Sequence, residues 1–96
     1  MSKLSIVARL KVKPEAVEQV KSELTKLVAP TRKEEGCLEY NLHQDNDTPE
    51  LFVFYENWES AAHLDRHKES DHYRHCFGTI GGLIEERSLQ KLTCLE

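Results

Sequence analysis

Hydrophobic and polar residues alternate from Lys3 to Lys13. Leu4, Ile6, Ala8, Leu10 and Val12 fall on one side of the chain, and Ser5, Arg9 and Lys11 on the other. A period of two marks a strand with one buried face. Pro14 follows, where the first turn of a helix tolerates a missing N–H. Val17, Val20, Leu24, Leu27 and Val28 then recur at helical spacing and predict a helix with one apolar stripe. Pro30 falls inside that pattern. The helix is therefore expected to kink or stop near Ala29, with Thr31 to Glu35 forming a further turn. Gly36 is a natural C-terminal stop.

Alternation returns over Cys37 to Gln44, with Leu38, Tyr40 and Leu42 on one face. Asp45 to Glu50 has turn chemistry. Leu51 to Trp58 reads as a second strand, so the two predict a hairpin with a long loop. Ser60 is placed to cap a helix over about Ala61 to Lys68. A break near Ser70 leads to a second helical piece over about Asp71 to Ile80, ended by Gly81-Gly82. A last strand is expected over Arg87 to Cys94. The predicted order is β-α-β-β-α-β, the α+β ferredoxin-like arrangement with a four-stranded antiparallel sheet and both helical units on one face. The whole chain, 1–96, forms one domain.

The strand Leu51 to Trp58 is apolar on both sides. Phe52 and Phe54 point one way, and Leu51, Val53 and Tyr55 the other. Helices can cover only one of these faces. A second copy of the chain is expected to cover the other, sheet against sheet, giving a homodimer. A domain of 96 residues has a modest core and gains from such burial.

Composition narrows the function classes. Hydrophobic residues make up 39% and charged residues 31%, ordinary proportions for a globular domain. A net charge of −4 argues against a nucleic-acid partner or a membrane surface, both of which need basic patches. The N-terminus runs straight into strand alternation without the pattern of a secretory signal. No apolar run approaches the ~20 residues of a membrane span. Three cysteines, Cys37, Cys76 and Cys94, give an odd count without a Cys-x-x-Cys motif, so free thiols and a cytoplasmic location are expected.

The motifs Pro30-Thr31-Arg32, Glu35-Gly36-Cys37 and Tyr40, then Phe52-Val53-Phe54-Tyr55-Glu56-Asn57-Trp58, then Ala62, Leu64, His67 and His72-Tyr73, resemble the antibiotic biosynthesis monooxygenase family. The resemblance spans nearly the whole chain. It implies a dimeric α/β barrel and, for the quinol monooxygenases in the group, oxygenation without metal or organic cofactor. The partners it implies are a small aromatic substrate and O2. Relatives of this fold also include isomerases, haem-degrading enzymes and members of unknown activity, so an isomerase or a dimeric module that only binds a small molecule is the alternative reading. The haem-degrading relatives use an Asn on the first strand, and Leu4 to Val12 has none. His72-Tyr73 stands where the family commonly has His-Phe.

Within that frame five residues are candidates for chemistry. His67 and His72 are candidate catalytic bases, because an imidazole titrates near neutral pH. Each could equally serve as a helix-end hydrogen-bonding group. Glu56 shares a strand face with Trp58. It could orient a histidine or bind substrate hydroxyls, or pair with Arg9 or Arg87. Trp58 and Tyr40 are candidates to hold a flat ring, or to fill the core. Asn57, on the other face, reads as a turn residue. His63 and His67 are spaced i, i+4, and His72 and His75 i, i+3, yet no recognised zinc pattern joins them, so no metal is expected.

Overall fold

The computed structural model describes residues 3–96. The chain runs through β1 (Leu4–Val12), a 3-10 turn (Pro14–Ala16), α1 (Val17–Arg32), β2 (Cys37–Gln44) and β3 (Leu51–Trp58). It continues through α2 (Ala61–Lys68), α3 (Asp71–Ile80), a second 3-10 turn (Gly81–Leu83) and β4 (Ile84–Leu92). The four strands pair antiparallel in the order β2-β3-β1-β4. This is the predicted ferredoxin-like α+β fold, with the second helical unit divided into α2 and α3.

Register decides which side chains meet. Ala8 lies opposite Phe54, Leu10 opposite Phe52, and Glu56 stands between Ile6 and Tyr40. Residues directly opposite in a sheet share a face. The apolar members of this set join Val20, Leu24 and Leu27 of α1, Leu64 of α2, and Cys76 and Ile80 of α3 in one core. The helices thus cover a single face. The opposite face presents Val7, Leu51 and Val53 half-buried, with Tyr55 and Leu92 exposed at 39% and 42%. No helix of the described residues is long and apolar enough to cross a membrane.

Three local expectations are corrected. Pro30 does not end the first helix, which continues to Arg32. The proline sits in the last turn, so it removes one main-chain bond where few remain to lose. Tertiary contacts hold that turn in place. Thr31 is fully buried, and Arg32 Nε donates to the Tyr40 carbonyl at 3.0 Å. The last strand begins at Ile84 and ends at Leu92, where Arg87 to Cys94 was expected. The charged pair Glu85-Glu86 after Ile84 hid the pairing of Ile84 with Val12, which is separated from the rest of the ladder by a bulge. Asn57 is a strand residue, 2% exposed, that accepts from Ser5 Oγ at 2.5 Å and donates to Glu39 Oε1 at 2.6 Å. A buried amide persists in a sheet when its hydrogen bonds are made.

Two serines shape the segment that carries the histidines. Ser60 Oγ accepts from the His63 N–H and caps α2. Ser70 Oγ accepts from the Tyr73 N–H and caps α3, while donating to the His67 carbonyl at 2.7 Å. One hydroxyl therefore closes α2 and opens α3, which fixes His67 relative to His72 and Tyr73. Gly36 takes φ = 85°, a backbone region that side chains disfavour. A Cβ there would also run into the His63 ring.

Candidate active site

β2 and β3 supply the floor of the site. Tyr40, Phe54, Glu56 and Trp58 all project to the helix-covered face, because their positions share strand parity and register. His67 descends from α2 onto this floor. Its ring centroid lies 4.9 Å from that of Trp58 and 5.5 Å from that of Tyr40. Tyr73 of α3 closes the other side at 5.0 Å, edge to ring. A cavity of about 30 Å³ opens here between the sheet and α2 and α3. Its walls include Ala8, Tyr40, Glu56, His67, Lys68 and Arg87. That volume holds a water molecule or two.

Among the five sequence candidates, Tyr40, Glu56, Trp58 and His67 come together at or beneath this cavity. Glu56 is bound to Trp58, whose Nε1–H donates to Oε1 at 2.9 Å. It makes no ion pair with Arg9 or Arg87 among the described residues, and it does not reach a histidine. His72 lies outside the cavity wall. It meets the site only through Glu34, an acid at the end of the first helical unit that sequence reasoning did not single out. Glu34 Oε2 lies 2.8 Å from His67 Nδ1 and 2.5 Å from His72 Nε2. Glu34, His67 and His72 bring potential metal-donor atoms within 4.8 Å of one another. One carboxylate oxygen already serves both imidazoles, so the three groups satisfy each other by hydrogen bonding. His63 instead bonds Ser60 Oγ at 2.8 Å, and His75 is exposed.

Lys68 and Arg87 also escaped the sequence reading as site residues. Arg87 belongs to β4, and its Nη2 donates to the Tyr73 hydroxyl at 2.8 Å. Its guanidinium lies 4.5 Å from the centre of the Phe77 ring. These contacts tie β4 to α3 beside the cavity. The i, i+4 spacing of Tyr73 and Phe77 was the available signal, since it puts both rings on one helix face.

Burial sets the protonation of these groups. Desolvation lowers the His67 imidazole below its ordinary value, although the hydrogen bond and charge of Glu34 pull the other way. The shift favours the neutral imidazole, the form that can accept a proton. Desolvation pushes the Tyr40 hydroxyl above its ordinary value, so it remains a donor. Burial pushes both the Cys37 and Cys76 thiols up to about 11, which leaves them inert at neutral pH.

Burial likewise pushes the Glu56 carboxyl up to about 7, while the bond from Trp58 favours the carboxylate. An unfolded Glu titrates near 4.3. Between those values the folded chain keeps a proton that the unfolded chain has lost. The stability contributed by this group is therefore fully present below about pH 4 and is lost as pH rises to about 7. The loss is on the order of 3 kcal/mol. Glu56→Gln retains an acceptor for Trp58 and carries no charge. It is expected to be more stable than the parent at about pH 8, by up to that amount, and nearly equal at about pH 4. Urea unfolding at both pH values measures this, and a pH-independent difference would rule out a buried-charge cost.

Similar proteins share the fold and the sequence. The crystal structure of PA3566 from Pseudomonas aeruginosa has a TM-score of 0.95 at 33% identity, covering 100% of this chain and 97% of that one. The Mycobacterium tuberculosis protein named "Putative monooxygenase Rv0793" is 34% identical over 83 residues, 86% of this chain and 81% of that protein. Its solved structure gives a TM-score of 0.91 and covers 99% of this chain and 97% of that one. The Escherichia coli protein named "Probable quinol monooxygenase YgiN" is 27% identical over 99 residues, 93% of this chain and 95% of that protein. The family profile described as antibiotic biosynthesis monooxygenase matches residues 4–79. With most of its length inside that match, the chain belongs to the antibiotic biosynthesis monooxygenase family.

Proposed function

We propose that the chain is a cofactor-independent monooxygenase that oxidises a quinol-like or polycyclic phenolic molecule with O2. The observation that carries this reading is His67, an imidazole 2% exposed on the wall of an aromatic cavity. Nδ1 lies on a carboxylate, and Nε2 has no protein partner among the described residues. Such a group can take a proton from an electron-rich ring. The resulting anion passes electrons to O2. For an anthrone CH2 group, one oxygen atom ends as the product carbonyl and the other leaves as water. Trp58 and Tyr40 supply ring surface, and the Tyr40 hydroxyl is a donor for a substrate oxygen. Glu56 acts by holding Trp58, and Lys68 is placed to attract an anionic ring oxygen.

Ligand cavities for drug-sized molecules measure roughly 300–1,000 Å³, so the present 30 Å³ marks a closed site. Admitting a ring requires this cavity to widen, and Arg87 and Leu89 of β4 line it. The names of the relatives support an oxygenase class, and the three free thiols support a cytoplasmic location. The half-buried Val7, Leu51 and Val53 and the exposed Tyr55 and Leu92, on the sheet face that no helix covers, support a homodimer. Sedimentation at micromolar concentration tests the dimer, and a monomeric species there refutes it.

The activity is tested by oxygen-electrode assays over quinols, catechols and anthrones, with and without added metal or haem. Uptake that needs no additive is the expected result. Binding of these compounds without oxygen uptake would replace the enzyme with a ligand-binding module. Uptake only with metal or haem would overturn cofactor independence.

A further inference from the structure

Glu34 is the acidic group against His67, and it comes from outside the strands and helices that form the cavity. Its side chain is 15% exposed, between His67 at 2% and His72 at 27%. The three groups therefore form a line from the buried wall to the surface. A carboxylate oxygen accepts hydrogen bonds and cannot donate them. An imidazole bonded to it through Nδ1 must carry its proton there, which leaves the lone pair on Nε2. The other neighbours of His67 do not compete for Nδ1. Trp58, Tyr40 and Tyr73 meet its ring as aromatic faces and edges. Lys68 and His72 supply the nearby positive or titratable groups, and both disfavour the imidazolium.

We propose that Glu34 is the positioning residue of this site: it fixes His67 with Nδ1–H on its carboxylate and Nε2 facing the cavity as proton acceptor, while His72 holds that carboxylate from the solvent side. This rests on the reading of His67 as the base. Once His67 takes a proton on Nε2, the adjacent carboxylate stabilises the imidazolium, as a buried acid does beside the histidine of a catalytic triad. His72 is then an anchor of Glu34 and not a second base.

Nitrogen NMR of the imidazoles tests the assignment without any substrate. In the parent, neutral His67 is expected as the Nδ1–H form. Glu34→Gln keeps an acceptor and removes the charge, so the His67 titration is expected to move further down. Glu34→Ala is expected to lose the tautomer preference. Glu35→Gln is the control, since Glu35 is 84% exposed and only loosely paired with Arg66 at 3.9 Å. An Nε2–H tautomer in the parent, or an unmoved titration in Glu34→Gln, would overturn the proposal.

With an oxygen-consuming substrate in hand, Glu34→Gln is also expected to lower kcat by roughly 10–100-fold with little change in KM. The acid limb of its pH–rate profile should move with the NMR titration. A limb that stays in place overturns the role of Glu34 in turnover. Absence of oxygen uptake by the parent would sink the monooxygenase reading alone, because the NMR result decides the positioning of His67 independently.

Discussion

His67→Gln is expected to lower the rate of oxygen uptake by roughly 10²–10⁴-fold, the span that a positioned general base contributes. The side chain keeps much of its volume and a hydrogen-bonding group for Glu34, so the loss reads chemistry more than collapse. His67→Ala should show the same loss with an added drop in stability, because a ring 4.9 Å from Trp58 is removed from a site that is 2% exposed. Parent activity should fall on the acid side as His67 takes up its proton. Since burial holds that imidazole below its ordinary value, the acid limb should lie below that of a free imidazole. Circular dichroism and thermal melting establish that the variants are folded. A folded His67→Gln that consumes oxygen at the parental rate would remove His67 from the mechanism.

Trp58→Ala is expected to cost about 3–5 kcal/mol, the range for emptying a buried indole. A domain of this size is stable by only about 5–15 kcal/mol, so this substitution threatens the fold itself. Trp58 is fully buried and closes the core at the end of β3. It also donates to Glu56, so truncation leaves a buried carboxyl with one partner fewer. Trp58→Phe separates the two effects. It keeps a ring in place and removes the donor, so the smaller destabilisation should come with a further rise in the Glu56 titration. Urea unfolding gives the first quantity and carbon NMR of the carboxyl gives the second. If Trp58→Phe left the Glu56 titration unchanged, their hydrogen bond would not govern that group.

The fold was legible where periodicity was strong. β1 and α1 each carry an apolar stripe that survives every local irregularity, and Ser60 announced α2 through its cap. β4 was harder, because an edge strand that is mostly exposed has no buried row to reveal its start. Pro30 misled for a related reason: a local rule about helix breaking yielded to contacts made by Thr31 and Arg32 with the sheet.

At the site, strand parity put Glu56 and Trp58 together, and their hydrogen bond follows from that placement. Parity could not find Glu34. It acts across 33 residues on His67 and 38 on His72, and nothing periodic links such positions. Arg87 was visible only as a charge, since its role depends on which residue of β4 faces α3.

Gly36 joins these two kinds of information. The His63 ring occupies the place where a side chain at position 36 would stand, so the first turn of α2 is seated directly on main chain. Glu34 lies two residues earlier on the same turn, and the Cys37 N–H donates to its carbonyl at 3.2 Å. A methyl group added at Gly36 would therefore press on the turn that carries Glu34 without touching the cavity. On the proposed roles of Glu34 and His67, substitution at position 36 is expected to lower oxygen uptake, although Gly36 has no side chain and handles no proton. Its contribution is a shape: the missing atom lets one turn carry both the seat of a helix and the carboxylate that meets His67.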